Sequence, residues 1–456
     1  MSTRVLVPAG VLGLGFDVDA LAEGIARKPD IICIDGGSTD SGPYSLGTGT
    51  SKYARGVCKS EWRTLMQARA EAGVPLVIGS AGTCGTDSTV DWMYEITREL
   101  AEELGQNVTV ARLYSGQPTA RIAEALADGR LAPMDPAPGI DEETILSMSN
   151  IVALAGIEQI NAALATGADI VIAGRTTDTA LIAALPISRG EAPGPAWHGA
   201  KIAECGAFCS TRPGTGVIMV DFDETGFDVE PMAPSAACRP ETVFAHMLYE
   251  NADPFRLAEP GGHLDVTEAT YTALDDRRVR AEGARWVPRD YTVKLEGARC
   301  VGYQTVMLAV LRDTRYVKNA RAWADRLTDT LMPKIEEQLD CRAGDFDLQV
   351  RLIGIDSALG ELETRVGDPV EVGALLIITA ETQDMAEDIA RLANPYLLHL
   401  PLTDEEPLPT FAFPFSPAHS NRGAVYEFAL NHELSLEDPM DAFRIEVTEV
   451  GHGSAG

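Results

Sequence analysis

Short apolar runs alternate with longer amphipathic stretches over the first 190 residues of the chain. The continuous apolar character of these runs is typical of strands that are buried on both faces, and they lie at residues 4–10, 30–34, 75–79, 108–113 and 169–173. The stretches between them predict helices at residues 18–27, 59–72, 89–103, 118–127 and 142–166. Because strands that alternate with helices form βαβ units, we predict a parallel α/β domain over residues 1–190.

The pattern changes in the remainder of the chain. After a less regular stretch, residues 304–400 predict strand, helix, strand, strand, helix and strand in that order, and the last strand is expected at residues 396–400. This βαββαβ order is typical of ferredoxin-like α+β domains. We therefore predict three regions: the parallel domain, an irregular middle region that completes the site (191–295), and a ferredoxin-like domain with a wrapping tail (296–450).

Three predicted strands of the first domain run into loops rich in glycine, hydroxyl and acidic residues, at 35–42, 80–87 and 174–178. In an open parallel sheet, ligands bind outside the carboxyl ends of the strands, so we expect the loops to line one crevice. Loop amides, hydroxyls and the guanidinium group can hold an anionic substrate. The predicted substrate-binding residues are Gly36, Gly37, Ser38, Thr39, Gly82, Thr83, Cys84, Gly85, Arg175 and Thr176.

The same loops carry three aspartates, Asp40, Asp87 and Asp178. Each can act as a general base, ligate a divalent cation such as Mg²⁺, or cap the helix that follows. We expect Asp40 and Asp178 to be catalytic, and we name all three as the ligands if a metal ion is bound. The sequence alone does not decide between these roles, and no cofactor is identified.

A second group of candidates lies in the middle region. His246 and Glu250 stand four residues apart, which would place them on one helical face as an acid/base pair or as half of a metal site. A structural histidine is the alternative. Cys205 and Cys209 have the same spacing beside Glu204, and they can be reactive thiols or small core residues.

Composition and missing motifs exclude several function classes. The net charge of −31 disfavours binding to nucleic acid or to anionic membranes. No apolar stretch approaches the ~20 residues that span a bilayer, and the N-terminus lacks a signal-peptide pattern, so we expect a cytoplasmic protein. No GxGxxG, P-loop, GxSxG or HExxH motif is present; hence no NAD is expected, and kinases and hydrolases of those types are set aside.

Several long stretches together resemble the acyclic terpene utilisation AtuA family, over residues 4–447. They are residues 35–44 (DGGSTDSGPY), 173–180 (AGRTTDTA), 246–256 (HMLYENADPFR), 271–279 (YTALDDRRV) and 411–417 (FAFPFSP). The resemblance implies a role in terpenoid or small-acid degradation, where cleavage of a branched 3-hydroxyglutaryl-CoA-type intermediate has been proposed. It also implies a small ferredoxin-like partner subunit, because some relatives carry or pair with such a module. We further expect a homo-oligomer.

These observations lead to two hypotheses. The first is a lyase or hydro-lyase that acts on a hydroxylated carboxylic acid or a hydroxyacyl-CoA thioester. In it, Asp40 or Asp178 is the base, Arg175 and the loop amides hold the oxyanion, and His246 or Glu250 is a second acid/base group. The second is a non-catalytic metabolite-binding or scaffold subunit of a multi-subunit enzyme.

Overall fold

A computed structural model describes residues 2–339, 341–342, 344–365 and 367–451. The chain divides into two compact units. The first contains the residues up to 299 together with those from 428 onward, and the second contains residues 300–427. Among the described residues, no helix has the length and apolar character needed to cross a bilayer.

The strands of both units are numbered in chain order. They are β1 (Thr3–Val7), β2 (Ile31–Asp35), β3 (Leu76–Gly79), β4 (Val108–Tyr114), β5 (Leu131–Pro133), β6 (Met148–Ala153), β7 (Ile170–Ala173), β8 (Ile218–Phe222), β9 (Gly226–Pro231), β10 (Arg256–Glu259), β11 (Gly262–Asp265), β12 (Thr270–Ala273), β13 (Val279–Glu282), β14 (Arg285–Pro288), β15 (Thr292–Leu311), β16 (Phe346–Ile353), β17 (Val372–Ala380), β18 (His419–Ser435) and β19 (Arg444–Val450).

The helices are numbered in the same way. They are α1 (Val18–Ala26), α2 (Tyr44–Thr48), α3 (Arg55–Ala72), α4 (Asp87–Leu104), α5 (Thr119–Ala127), α6 (Glu142–Leu146), α7 (Ile157–Leu164), α8 (Asp178–Ser188), α9 (Pro193–Ala203), α10 (Pro240–His246), α11 (Thr314–Lys318), α12 (Ala320–Leu339) and α13 (Gln383–His399). Short 3₁₀ helices lie at Gly206–Cys209, Pro213–Thr215 and Gly360–Leu362.

The first unit is built on a mixed sheet with the strand order β12-β13-β9-β8-β1-β2-β3-β7-β4-β19. Its centre, from β1 to β4, is parallel. Antiparallel strands extend it on both sides, with β8 pairing to β1 and β19 pairing to β4. The strands predicted within residues 1–190 thus form the parallel centre of a larger mixed sheet, which strands from the middle region and from the end of the chain extend.

Helices cover both faces of the parallel centre. Ile32 and Ile34 of β2 contact the cluster formed with α1, α3 and α4, whereas Ile31 and Cys33 contact the cluster formed with α7, α8 and α9. All four side chains are almost fully buried. Burial on both faces explains why these strands are continuously apolar in sequence instead of alternating with polar residues.

Two local predictions in the first unit are wrong. Residues 142–166 do not form helices throughout, because β6 separates α6 from α7 and pairs with the start of β15. The middle region is also more regular than expected, since β8, β9, β12 and β13 belong to the central sheet. The three-region division at residues 190 and 295 stays a prediction of domain organisation.

The second unit is α+β. Its elements follow the order strand, helices, strand, strand, helix and strand, with β16, β17, β15 and β18 as neighbours in the sheet. Trp323 and Leu327 of α12 are fully buried in its core, together with Ile389 of α13. The strand predicted at residues 396–400 is wrong, because α13 continues to His399.

Candidate functional site

Loops that follow β2, β3 and β7 form the edge of the sheet where the candidate residues lie. Backbone hydrogen bonds connect the loops directly: Gly36 N–H donates to Gly79 O (2.7 Å), Ser80 N–H to Gly174 O (2.8 Å) and Arg175 N–H to Gly85 O (3.1 Å). These contacts join the three loops at one edge of the sheet, and the expectation that they line one crevice stays a prediction.

Glycines in these loops allow the loops to pack closely. A Cβ atom at Gly85 would lie 2.1 Å from the Arg175 backbone nitrogen, and one at Gly36 would lie 2.6 Å from Ser80 O. Gly85 also has a φ of +62°, which L side chains rarely adopt. Gly36 and Gly85 therefore allow neighbouring loops to come into close contact.

An ion pair between Arg175 and Glu296 lies behind the loops. Arg175 Nε donates to Glu296 Oε2 (3.0 Å), its Nη2 donates to Oε1 (3.3 Å), and its Nη1 donates to Ser80 Oγ (2.9 Å). Both side chains are 8% exposed. Burial alone would raise the pKa of Glu296, but the charges of Arg175 and Lys294 outweigh it and lower the pKa to about 2. Glu296 is therefore ionised at neutral pH.

Asp178 lies on the solvent side of this ion pair. It is the first residue of α8, where Thr177 caps the helix, and its carboxylate is 3.9 Å from Arg175 Nη1. Its side chain keeps 35% of its exposure. Partial burial raises the pKa of Asp178 in spite of the nearby Arg175 and Lys201, and the charges of Asp40 and Glu250 raise it further. A partly exposed carboxyl group with a raised pKa is the kind of group that acts as a general base.

Asp35, at the end of β2, is a buried neighbour of this group. Burial raises its pKa, and the negative charge of Asp178 adds to that effect. Its Oδ2 accepts a hydrogen bond from Gly37 N–H (2.8 Å), whereas its buried Oδ1 has no hydrogen-bond partner among the described residues. Two interacting carboxyl groups in a region of low dielectric constant retain a proton between them more readily than either would alone.

Lys201, from α9, supplies a second positive charge that acts on Asp178. It forms a buried ion pair with Glu204, and carboxylates including Asp178 raise its pKa although burial opposes this. Burial also raises the pKa of Glu204 to about 8 and that of Glu259 to about 7. One ammonium group cannot neutralise three carboxylates, so burial keeps the pKa values of the carboxyl groups raised although Lys201 is close to them.

Two cavities in the first unit open at Lys294. The larger has a volume of about 360 Å³, and its wall combines polar groups with apolar ones: Thr39, Asp40, Pro136, Pro138, Lys294, Glu296, Phe428, Leu430 and Asn431. The smaller has a volume of about 90 Å³ and includes Glu259 and Arg289 in its wall. Lys294 Nζ lies 3.2 Å from Glu296 Oε1, and its side chain is partly exposed. A cation at a half-apolar cavity suits a ligand with a carboxylate or carbonyl group and a hydrocarbon part.

The structure brings some of the predicted residues to these cavities. Asp40 is exposed and lines the larger cavity, and its charge acts on Asp178. Thr39 lines the same cavity and donates to Glu296 Oε2 (3.1 Å). Ser38 and Gly37 precede them in the first loop, where Gly37 packs against Thr83.

Other predicted residues lie elsewhere. The partners of Asp87 are Gly116 N–H, at 3.0 Å from Oδ1, and Arg444, at 3.6 Å from Oδ2. Among the described residues, neither Gly116 nor Arg444 contacts Asp178. Burial raises the pKa of Asp87 as well, so its shift alone does not mark it as part of the same site.

The second loop is buried. Gly82, Thr83, Cys84 and Gly85 have little or no exposed surface, and Cys84 packs in an apolar cluster with Leu46, Val152 and Ala298. Thr176 of the third loop is also fully buried. These five residues support the loop geometry from inside the protein, and their roles in substrate binding stay predictions.

The expected His246/Glu250 helical pair is wrong. Helix α10 ends at His246, and Glu250 follows in a turn with a φ of +56°, so the two residues do not share a helical face. His246 is buried, while Glu250 is exposed. Burial lowers the pKa of His246 to about 4, and the charge of Lys201 contributes. Its imidazole is therefore neutral at pH 7.

Another residue pair is also arranged differently from the prediction. Helix α9 ends at Ala203, and Gly206, with a φ of +60°, begins a separate 3₁₀ helix. Cys205 and Cys209 therefore do not lie on one regular helix. Cys209 packs with Cys238 in the core, whereas Cys205 is only partly buried and lies beside Glu204 and His246.

The sequence analysis missed several charged residues at the site. Lys294 and Glu296 alternate with the buried Val293 and Leu295 on β15, a period-two pattern that places both charged groups on one face. That alternation could have identified Lys294 and Glu296 from the sequence as neighbours on one face of a strand. Lys201, by contrast, lies in a nearly fully buried helix, and only the fold brings it close to Asp178.

Comparison with known proteins gives one match. The sequence model described as acyclic terpene utilisation family protein AtuA matches residues 45–402, which include the second and third loops, α9, α10 and the charged part of β15. Neither a curated protein nor a solved structure matches the chain.

Proposed function

Because the chain belongs to the acyclic terpene utilisation AtuA family, we propose that it is a catabolic lyase or hydro-lyase whose substrate is a hydroxylated carboxylic acid or a hydroxyacyl-CoA thioester. Membership of the family indicates a role in acyclic terpene utilisation. Intermediates in the breakdown of branched hydrocarbons combine apolar chains with carboxyl or thioester groups, and such molecules suit the mixed wall of the larger cavity.

The observation that carries this proposal is the position of Asp178. It lies at a helix N-terminus close to Arg175 and within the electrostatic influence of Lys201, it is partly exposed, and its pKa is raised. A base whose pKa is raised towards neutrality removes a proton more effectively than an ordinary surface carboxylate. A residue that only stabilised the N-terminus of α8 would not require the carboxylates and buried cations around Asp178.

The proposed chemistry begins when Asp178 removes a proton from the substrate. Removal of a hydroxyl proton leads to cleavage of the adjacent carbon–carbon bond, with a carbonyl group and an enolate as products. Removal of a proton next to the carbonyl group leads instead to loss of the hydroxyl group as water after an acid protonates it. In both cases negative charge develops on a carbonyl oxygen, and Lys294 at the cavity is the group that would stabilise it.

Arg175 has a positioning role in this proposal. Its Nε and Nη groups donate mainly to Glu296, Ser80 and the Thr176 carbonyl oxygen. Arg175 therefore keeps Glu296 and its own positive charge in position beside Asp178. Glu259, with a pKa of about 7, is the proposed proton donor, because it lines the smaller cavity and can carry a proton at neutral pH.

For the second unit, we propose a ferredoxin-like fold on the basis of its element order and strand neighbours. This proposal is compatible with a further small subunit of the same type, and with assembly into a homo-oligomer. Size-exclusion chromatography with light scattering on the purified chain tests for the homo-oligomer.

The test of the function is turnover of a panel of hydroxy acids and hydroxyacyl-CoA thioesters, followed by mass spectrometry. We expect product from the wild type and a loss of about 100-fold or more in kcat for Asp178→Asn. Asp17→Asn is the matched control, because Asp17 caps α1 in the same unit and asparagine caps equally well. If the wild type turns over no member of the panel but binds one saturably in calorimetry, the protein is a metabolite-binding subunit instead.

A further inference from the structure

A compact group of metal-ligand side chains lies near Asp178, formed by two segments that are distant in sequence. Glu204 and Cys205 follow the end of α9, and His246 ends α10. A carboxylate oxygen, the thiol sulfur and an imidazole nitrogen of these residues all lie within 4.8 Å of one another. A tetrahedral zinc site places its ligand atoms about 3.3–3.8 Å apart, so small side-chain rotations close this arrangement around an ion.

Local structure restrains the backbone after Cys205 and the imidazole of His246. The left-handed conformation of Gly206 turns the chain directly after Cys205, and a Cβ atom there would lie 2.3 Å from Gly216 O. His246 is held by Tyr249, whose ring stacks on the imidazole with centroids 5.5 Å apart. The group is therefore preorganised by the backbone turn and by ring packing.

An independent observation points to a ligand at this place. His246 is buried, and its Nε2 has no hydrogen-bond partner among the residues that the structure describes. Buried polar atoms are normally paired, and leaving one unpaired costs about 1–3 kcal/mol. Coordination to a metal ion would satisfy such a nitrogen.

We propose that Glu204, Cys205 and His246 bind a divalent metal ion of borderline softness, with Zn²⁺ as the best match. A thiolate and an imidazole select Zn²⁺ over Mg²⁺ or Ca²⁺, which prefer oxygen ligands. Three protein ligands leave the fourth tetrahedral position open, as in catalytic zinc sites. Asp178 lies close enough for its charge to act on both Glu204 and Cys205, so the metal site is near the proposed base.

The local charge favours a cation. Lys201 contacts Glu204, but a carboxylate has two oxygens, so the ammonium group and a metal ion can bind to it at the same time. Asp178 and Glu250 add negative charge close to Cys205. Binding of the ion displaces the thiol proton of Cys205 and the carboxyl proton of Glu204 into solvent, so uptake of Zn²⁺ should release protons.

The first experiment measures metal content. The full chain is produced in medium containing zinc, dialysed, and analysed by inductively coupled plasma mass spectrometry. We expect about one Zn²⁺ per chain in the wild type and at least a ten-fold lower content in Cys205→Ser and His246→Gln. Cys300→Ser and His263→Gln are matched controls, because they remove the same residue types outside the group, and they should retain the wild-type content.

The second experiment does not depend on the folding of a variant. Replacement of the metal by Co²⁺ in the wild type should give a thiolate-to-cobalt charge-transfer band in the near ultraviolet and tetrahedral d–d bands in the visible. A wild type without stoichiometric metal and without the charge-transfer band would overturn the proposal, as would full metal content in the Cys205→Ser/His246→Gln double variant. Because neither measurement requires turnover, failure here is distinct from failure of the proposed reaction.

Discussion

The ion pair between Arg175 and Glu296 allows a quantitative prediction of stability. Glu296→Gln removes the negative charge but keeps the size of the side chain and one acceptor oxygen. Arg175 would then remain buried with its charge only partly balanced, chiefly by Asp178 at 3.9 Å. Removing one partner of a buried ion pair is strongly destabilising, because the remaining charge is costly away from water.

The magnitude follows from the pKa of Glu296. The gap between its ordinary value of 4.5 and about 2 in the folded protein corresponds to ~3 kcal/mol of stabilisation at pH 7. Since the folded-state pKa is the lower one, this contribution is complete above the unfolded-state pKa and is lost as the pH falls through the folded-state value. We therefore expect Glu296→Gln to unfold with a free energy lower by ~3 kcal/mol at pH 7, and by roughly half of that near pH 3.

Urea denaturation of the wild type and variant, followed by circular dichroism from pH 3 to pH 8, measures this difference. Glu268→Gln, at an exposed position of the same unit, is the control and should change the midpoint little. A loss below about 0.5 kcal/mol at pH 7, or one that does not decrease with acidification, would refute the argument that the Arg175 charge is balanced mainly by Glu296.

Two further predictions concern other groups of the same site. The free energy of unfolding of Glu259→Gln minus that of the wild type should increase by ~1 kcal/mol from pH 6 to pH 8, because a folded-state pKa raised to about 7 makes ionisation of the native carboxyl group costly. Denaturation curves of both proteins at the two pH values test this, and a difference that stays the same at pH 6 and pH 8 contradicts it. Lys294→Met should raise KM for an anionic substrate about ten-fold through loss of a charge-assisted contact, and should lower the melting temperature modestly, because Glu296 loses one cationic partner and keeps Arg175. Lys318→Met in the second unit is the control, and an unaltered KM would remove Lys294 from the binding site.

The fold was partly predictable because its central strands are buried on both faces. Ile31 to Ile34 are continuously apolar, and two glycines follow after Asp35, so both the strand and the turn are visible in sequence. Strand β6 was not visible, because Met148–Ala153 mixes polar and apolar residues between two helices and is stabilised by pairing with β15. The strand predicted at residues 396–400 is absent, because α13 continues through Pro395 to His399.

The site was predictable only where chemistry is local. Asp178 and Arg175 stand three residues apart, whereas Glu296 lies 121 residues beyond Arg175 and reaches it only through the fold. Asp87 shows that a matching local sequence does not ensure matching contacts. It occupies the first position of α4, as Asp178 does in α8, yet its carboxylate contacts Gly116 and Arg444. Equivalent sequence positions thus differ in their contacts because the neighbouring strands bring different partners.

The distribution of buried charge determines which groups at this site can exchange protons. Glu296 takes most of the Arg175 charge, which keeps that carboxylate ionised and removes it from acid/base chemistry. Lys201 must then serve several carboxyl groups at once, so burial keeps the pKa of Asp178 and Glu259 raised. In the proposed reaction Glu259, with a pKa of about 7, would donate a proton and Asp178 would accept one, and elimination and carbon–carbon cleavage each require both roles.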